Sequence, residues 1–130
     1  MQEVYEFLKQ CGTFYIATCD ENKPRVRPFG AINIFEGKLY IQTGKSKDVS
    51  KQMQINPNVE ICAFKDGVWL RLEGQVVRDD RIVAKESMLD ANPMLKNMYS
   101  ANDDNTEVLY FKNAKAHFYS FTEDTKTIEF

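Results

Sequence analysis

The residues best suited to chemistry lie in the segment 39–48, where a β-rich run leads through a glycine turn into a predicted helix start. The first N–H groups of a helix have no partner within it, and the helix dipole makes that end favourable for anions. Thr43 and Ser46 add hydroxyl groups, while Lys45 and Lys47 add positive charge. This combination predicts a binding site for a phosphate group.

Two arginines form a second anion-binding element. Arg25 and Arg27 stand two apart in a predicted strand, so their side chains project from the same face. Pro28 has no N–H to donate, which predicts a sheet edge or a bulge. In the predicted antiparallel meander, this strand runs beside the strand that ends at Thr43. The guanidinium pair and the glycine turn are therefore expected to converge on one phosphate.

Each of these elements also has a purely structural alternative. Arg25 and Arg27 could form a solvated face that discourages edge pairing, and Ser46 could simply be the N-cap of an ordinary helix. The occurrence of both elements on neighbouring predicted strands favours the phosphate site.

The tripeptide Gly44-Lys45-Ser46 also imitates the end of a Walker A motif, G-x-x-x-x-G-K-[ST]. The first glycine of that motif would be residue 39, which is Leu39. The preceding strand also belongs to a meander and not to a βαβ unit. These two departures exclude a nucleotide triphosphatase.

The elements that position these residues are mostly short strands. Glu36-Gly37 and Asp66-Gly67 are strong hairpin signals. Strands are predicted over residues 13–19, 25–35, 38–43, 59–65, 68–77, 108–111, 114–121 and 127–130, and helices over 4–11, 48–55 and 79–89 with a short helical piece after Asn92-Pro93. The pattern predicts a single, mainly β domain over residues 1–130: a six- to eight-stranded antiparallel split β-barrel with three or four short helices.

Composition excludes several classes of partner. The chain has 130 residues and a net charge of −2, so it has no global basic field, and neither nucleic acid nor an anionic membrane is an expected partner. No segment approaches the roughly 18 apolar residues of a membrane span. The N-terminal residues lack the basic and apolar regions of a signal peptide, so the expected compartment is the cytoplasm.

Cysteine and histidine are too few for common metal or hydrolase sites. Cys11, Cys19 and Cys62 lack C-x-x-C spacing and are interpreted as buried, unpaired thiols in a reducing compartment, with a reactive thiol at Cys11 or Cys19 as the alternative. The single histidine, His117, lies in a strand-like stretch without a G-x-S-x-G elbow before it. It is interpreted as structural, and no metal site is predicted.

The order of the motifs resembles a known family. An Arg-x-Arg-Pro strand at residues 25–28 is followed by Tyr-x-x-Thr at 40–43, Ser46-Lys47, Asn-Pro-x-Val at 56–59, and a strand beginning at Trp69. This set is similar to the pyridoxamine 5'-phosphate oxidase-like split-barrel flavoproteins, which bind flavin mononucleotide (FMN). The resemblance covers about residues 14–77 and implies an FMN-binding split barrel.

The resemblance also implies roles for particular residues. The FMN phosphate and ribityl chain would be held by Arg25, Arg27, Thr43, Ser46 and Lys47. The flavin ring would face the backbone of Val26, Pro28 and Phe29. The family is usually a homodimer with FMN at the interface, so the resemblance also implies contacts to the partner's flavin from Trp69, Arg71 and Gln75.

The resemblance leaves the reaction open. The extended C-terminal segment that holds substrate in true pyridoxamine phosphate oxidases has no counterpart, and the chain looks more like small relatives that resemble nitroimidazole reductases. The expected function is an FMN-dependent oxidoreductase acting on a small organic molecule, with Tyr40 or Arg71 as conceivable proton carriers. The alternative is a non-catalytic protein of the same fold that binds flavin, haem or deazaflavin.

Overall fold

The structure is a computed structural model that describes residues 1–130. Three α-helices and one 3₁₀ helix interrupt eight strands. In chain order the elements are α1 (Gln2–Cys11), β1 (Phe14–Asp20), β2 (Lys23–Phe29), β3 (Ile32–Phe35), β4 (Lys38–Gly44), α2 (Asp48–Ile55), β5 (Asn58–Lys65), β6 (Val68–Asp79), α3 (Ile82–Ala91), the 3₁₀ helix (Pro93–Asn97), β7 (Thr106–Ser120) and β8 (Lys126–Glu129). None of the helices has the length and apolar character needed to cross a membrane.

All eight strands belong to one antiparallel sheet. Neighbours follow the order β2-β1-β5-β6-β7-β4-β3, and β8 pairs with β7 beside this path. The predicted fold class, a mainly β split barrel with a few short helices, is confirmed. The two predicted glycine hairpins are also confirmed, because Glu36, Gly37, Asp66 and Gly67 all have positive φ, as a tight two-residue turn of type I′ requires.

The predicted strand over residues 25–35 is wrong, because the structure divides it into β2 and β3. These strands lie at opposite ends of the sheet path, where β2 pairs only with β1 and β3 only with β4. The chain leaves β2 after Phe29 and turns through Gly30 and Ala31 before β3 begins. The arginine strand therefore does not lie beside β4, and the expected hairpin contact between the two anion-binding elements does not exist.

The two strands predicted over residues 108–121 are one strand, β7, which bends in its middle. The register with β6 shifts between Glu73 and Gln75, and Asn113 has a φ of 52°. A Cβ on Gly74 would lie 3.1 Å from Phe111 Cδ1 and 3.3 Å from the Ala114 Cα, so a side chain at residue 74 would crowd the bend. Before the bend β7 borders β4, and after it β7 borders β8.

The core fills the barrel and extends beneath two of the helices. Nineteen buried residues form the main cluster, to which α1 contributes Val4 and Leu8 and α2 contributes Val49 and Met53. A second, smaller cluster lies under α3 and joins Ala84 and Met88 to Ala31, Tyr40 and Val108. Helices α2 and α3 therefore pack on different regions of the sheet, and both regions include residues of β4.

A buried polar cluster fastens the start of α3 to the sheet. The Tyr40 hydroxyl donates to Asp79 Oδ2 at 2.7 Å, and Arg81 donates to the Asp79 carboxylate from Nε, Nη2 and its backbone N–H. Arg81 also pairs with Glu36 at 2.8 Å. The hydrogen bonds from Arg81 and Tyr40 outweigh burial and lower the pKa of Asp79 to about 2.

This pKa predicts a pH-dependent contribution to stability. Because the folded pKa lies below the ordinary value, the contribution is present above about pH 4 and is lost as the pH falls towards 2. Asp79→Asn is therefore expected to lower the free energy of unfolding by about 2 kcal/mol at pH 7. In urea unfolding measured from pH 7 to pH 2.5, the difference in the free energy of unfolding between Asp79→Asn and wild type should shrink as the pH falls. The control Asp80→Asn, at an exposed position, should differ little from wild type. A difference for Asp79→Asn that is constant with pH would contradict this assignment.

Candidate functional site

The two arginines of β2 share the inner face of the strand, as the sequence predicts. The register with β1 places Arg27 opposite Ile16 and Arg25 opposite Thr18. Arg27 donates from Nη1 to Thr18 Oγ1 at 2.7 Å and from Nη2 to Gln52 Oε1 of α2 at 2.7 Å. Arg27 therefore joins β2 to α2, and this contact brings the arginine strand to the start of that helix.

The Arg27 guanidinium keeps donors for a ligand. Its three hydrogen bonds, to Thr18, Gln52 and the Ile16 carbonyl, leave Nε–H and one Nη2–H without a protein acceptor. Burial, with a contribution from nearby Arg25, lowers the pKa of Arg27 without removing its charge. Arg25 itself forms an exposed pair with Asp20 at 3.2 Å.

The last residues of β4 carry buried polar atoms that have no partner. β4 pairs with β3 only as far as Ile41, so residues 42–44 border β7 on one side and no strand on the other. Thr43 is 3% exposed and Gln42 is 6% exposed. The Thr43 hydroxyl oxygen and both amide atoms of Gln42 lack a hydrogen bond. Buried polar groups are nearly always bonded in proteins, so these atoms are available to a polar ligand.

The turn after β4 does not offer the backbone donors expected from the sequence. The N–H groups of Lys45 and Ser46 donate to the carbonyl and side-chain oxygens of Asn105, at 2.7 and 3.0 Å. Lys47 N–H donates to the Gly44 carbonyl at 3.0 Å. The prediction that this turn binds an anion through its own N–H groups is wrong for these three. The first free donors are the N–H groups of the opening residues of α2.

The side chains of the turn also diverge. Lys45 Nζ pairs with Asp80 at 3.2 Å, and Ser46 is exposed and faces neither cavity described below. The N-cap of α2 is Lys47, without a side-chain capping bond, so the prediction of Ser46 as N-cap is wrong. Of Lys45, Ser46 and Lys47, only Lys47 lines the two cavities.

Two contiguous cavities meet at this point. The first, here called the apolar cleft, has a volume of about 550 Å³, and half of its lining residues are hydrophobic. The second, the cationic groove, is more open and has a volume of about 710 Å³. Arg27, Lys47 and Val49 line both.

The walls of the two cavities differ in chemistry. The cleft lies between the end of β2, the end of β4 and the 3₁₀ helix, and its walls include Pro28, Phe29, Gly30, Ala31, Gln42, Thr43, Met94, Leu95, Met98 and Tyr99. The groove has four cationic side chains, Arg25, Arg27, Lys47 and Lys51, against two acidic ones, Asp20 and Asp48. A flat, mainly apolar group with a polar edge and a phosphate tail would match this arrangement.

The remaining predicted site residues lie elsewhere, on the outer face of β6. Trp69 stacks on Tyr119 with ring centroids 5.4 Å apart, and Arg71 pairs with Glu60 at 2.7 Å. Gln75 exchanges hydrogen bonds with two asparagine side chains. None of the three lines the apolar cleft or the cationic groove of its own chain.

The outer face links these residues to the cleft. Cross-strand pairing aligns Pro28, Tyr15, Cys62 and Arg71 in one row, because Pro28 pairs with Tyr15, Tyr15 with Cys62, and Cys62 with Arg71. Large side chains on this face are exposed, with Tyr15 at 51% and Phe64 at 63%. We call this surface the aromatic face: Tyr15, Phe64, Trp69, Tyr119 and Phe121.

The other candidate residues lie outside the cleft. The Tyr40 hydroxyl donates a hydrogen bond to Asp79. Burial, and to a smaller extent this hydrogen bond, raises the pKa of Tyr40, which argues against Tyr40 as a proton carrier. His117 Nδ1 lies 3.0 Å from Thr127 Oγ1 between β7 and β8. The three cysteines are unpaired, as expected, but the prediction that they are buried is wrong, because Cys62 is exposed and Cys11 and Cys19 are half-buried. Partial burial raises the pKa of the Cys11 thiol.

Three residues of the site, Gln42, Gln52 and Asn105, were not predicted from the sequence. The sequence contains a weak indication of Gln42 and Gln52, because each is a polar amide among residues that face the sheet or the core. It contains no such indication of Asn105, because that residue lies in a polar loop far along the chain from the turn that it contacts.

The fold is that of a split-barrel protein, in which a mainly apolar cleft adjoins a groove lined by four cationic side chains. The family model described as pyridoxamine 5'-phosphate oxidase matches residues 1–120. The chain therefore belongs to the pyridoxamine 5'-phosphate oxidase-like split-barrel family.

Solved structures agree with this assignment. A NimC/NimA family protein from Clostridium acetobutylicum is 46% identical, with 100% of this chain and 92% of that chain covered and a TM-score of 0.97. Two others share the fold at low identity. A pyridoxamine 5'-phosphate oxidase-related, FMN-binding protein from Nostoc punctiforme is 14% identical over 98% of this chain and 92% of that chain, with a TM-score of 0.64. A haem-binding protein from Mycobacterium smegmatis is 12% identical over 94% and 57%, with a TM-score of 0.72. Comparison with curated proteins gives no match.

Proposed function

We propose that this protein binds FMN, with the flavin ring in the apolar cleft and the phosphate in the cationic groove. The observation that carries the proposal is the set of buried, unpaired polar atoms on Gln42 and Thr43, beside the cations Arg27 and Lys47. A ligand that is apolar, polar at one edge and phosphorylated would satisfy all of these groups together.

The residues present fit such a ligand. The Gln42 amide offers a donor and an acceptor, which suits the alternating carbonyl and N–H groups of a flavin pyrimidine edge. Thr43 offers a hydroxyl to the ribityl chain. Lys47 and the free donors of Arg27 face the groove, where a phosphate would sit near the first N–H groups of α2. Of the predicted phosphate contacts, Ser46 has the least support, because its N–H already donates to Asn105 Oδ1.

Bound FMN would supply electron or hydride transfer, and the protein would supply binding, orientation and exclusion of water. We propose an oxidoreductase acting on a small organic molecule. The exposed side chains of Met94, in the 3₁₀ helix, and of Met98, just after it, line the apolar cleft, which favours an apolar or aromatic substrate.

The cleft is less suited to haem. A haem iron is held by an axial histidine, cysteine, methionine or tyrosine. Neither histidine nor cysteine lines the cleft, and the single histidine, His117, lies on β7 beside β8, which leaves Met94, Met98 and Tyr99 as the side chains of ligand type there.

Titration of the purified protein with FMN tests the proposal. Binding should quench FMN fluorescence, and the complex should absorb near about 450 nm, as flavins do. Oxidation of NADH or NADPH with candidate acceptors then tests catalysis. A Soret band would indicate haem, and a fluorescent extract with deazaflavin spectra would indicate that cofactor. A colourless protein that leaves FMN fluorescence unchanged would contradict the proposal.

We propose further that the protein is a homodimer joined through the aromatic face. This face begins at Tyr15, which pairs with Pro28 at the edge of the cleft, and continues to Trp69 and Arg71. A two-fold axis makes the same patch contact itself, so a second copy would bring its Trp69 and Arg71 towards the first copy's cleft. Exposed aromatic patches of this kind mark interaction surfaces.

Phe64→Glu is expected to convert the dimer to a monomer, because it places a charge in the centre of an apolar contact. Sedimentation or size-exclusion chromatography with light scattering gives the mass directly. Val83→Glu, an exposed apolar position on α3, is the matched control and should leave the mass unchanged. A wild-type protein that is already monomeric would overturn the dimer proposal.

A further inference from the structure

The loop between the 3₁₀ helix and β7, residues 98–105, contacts the turn of the proposed phosphate site. We propose that Asn105 is the positioning residue of that site: it fixes the turn over residues 44–47 so that Lys47 and the start of α2 face the phosphate. The inference rests on the proposed FMN function and adds a residue from a distant part of the chain.

Asn105 holds the turn through both its backbone and its side chain. Its carbonyl oxygen accepts Lys45 N–H at 2.7 Å, and its Oδ1 accepts Ser46 N–H at 3.0 Å. Two successive backbone groups of the turn are therefore bonded to one residue. The next N–H, at Lys47, donates to Gly44 and completes the turn.

The contact is tight as well as polar. A Cβ on Gly44 would lie 3.0 Å from Asn105 Nδ2 and 3.3 Å from Tyr99 Oη. Ordinary Cβ contacts are longer, so a side chain at residue 44 would have to displace the ends of the Asn105 and Tyr99 side chains, whereas the φ of Gly44 is not unusual. Tyr99 also lines the apolar cleft, so the same packing joins the cleft wall to the turn.

Asn105 is itself held rigidly by Asp103. The Asp103 carboxylate accepts the N–H groups of Ser100, Asn105 and Thr106, and also the Thr106 hydroxyl. Burial raises the pKa of Asp103, but these hydrogen bonds outweigh it and hold the pKa well below its usual range. The loop is therefore an ordered support, although its sequence is polar and loop-like.

This geometry predicts a specific effect on phosphate recognition. The turn carries no free N–H of its own, so its contribution is to place the Lys47 ammonium and the opening of α2. If Asn105 is lost, the turn gains alternative conformations, and the phosphate contacts weaken while the cleft that holds the ring is unchanged.

The experiment compares FMN with riboflavin, which lacks the phosphate. Asn105→Ala is expected to weaken FMN binding by about tenfold, the value of one well-placed hydrogen bond, and to change riboflavin affinity by less than about twofold. Gly44→Ala presses on both Asn105 and Tyr99 of the cleft wall, so it should weaken the binding of FMN and of riboflavin. Asp104→Asn, an exposed neighbour without a bond to the turn, is the control.

The outcomes separate the two proposals. A selective loss of FMN affinity in Asn105→Ala supports the positioning role. Equal losses of FMN and riboflavin affinity in Asn105→Ala, or no loss of either affinity, would overturn it while FMN binding by the wild type stands. A wild-type protein that binds neither ligand would overturn the proposed function and this inference together. Thermal unfolding of each variant checks that the fold is retained.

Discussion

Arg78→Met is expected to lower the free energy of unfolding by about 3 to 5 kcal/mol, because it leaves a carboxylate buried without its cation. Glu107, at 0% exposure, accepts hydrogen bonds at Oε2 from Arg78 Nε and from Gln54 Nε2 of α2. Glu107 Oε1 has no hydrogen-bond partner, so without Arg78 the carboxylate would keep only the hydrogen bond from Gln54. Arg78 also reaches Ser50, so the pair ties α2 to the barrel.

Urea unfolding of the double variant Arg78→Met with Glu107→Gln tests the cause. Removing both charges should recover most of the lost stability, since the cost comes from the unpaired carboxylate and not from the missing attraction. Lys96→Met, which breaks an exposed pair with Asp90, should cost less than about 1 kcal/mol. If the double variant is no more stable than Arg78→Met, the burial of an unpaired charge is not the cause.

Lys47→Ala is expected to weaken FMN binding by about 10- to 100-fold, because hydrogen bonds to charged groups are worth about 1.5 to 3 kcal/mol. Riboflavin affinity should change little. Lys45→Ala is a closely matched control, since Lys45 belongs to the same turn but pairs with Asp80.

Fluorescence titrations at two salt concentrations provide the measurement. The difference between Lys47→Ala and wild type should shrink at high salt, since the lost interaction is electrostatic. Adding Arg27→Ala should weaken FMN binding further, although that change also removes the Gln52 contact. Equal losses from Lys45→Ala and Lys47→Ala would contradict the placement of the phosphate.

Local signals in the sequence predict much of this site. The turns Glu36-Gly37 and Asp66-Gly67 need residues that tolerate positive φ, and α2 begins and ends close to its predicted bounds. The two-residue spacing of Arg25 and Arg27 places both on one strand face, as the register shows. These features depend on neighbours in the chain, so the sequence carries them directly.

Features that depend on distant residues could not be predicted. The prediction that Arg27 and Lys47 are brought together by adjacent strands is wrong, because β2 and β4 are not neighbours in the sheet. The hydrogen bond from Arg27 to Gln52 of α2 brings Arg27 to the helix that Lys47 precedes. The capture of two turn N–H groups by Asn105 depends on the pairing of β4 with β7. Nothing in the local pattern near Lys45 marks its N–H as already bonded.

The pairing of β4 with β7 has a consequence for the order of events during synthesis. Gly44 pairs with Thr106, and the turn that follows Gly44 is bonded by the residue just before Thr106. The chain emerges from the ribosome N-terminus first, so all the basic residues of the groove appear long before their support does. The nascent chain therefore presents these cations before the turn is held in place, and we expect any ligand of the groove to bind only after β7 has emerged.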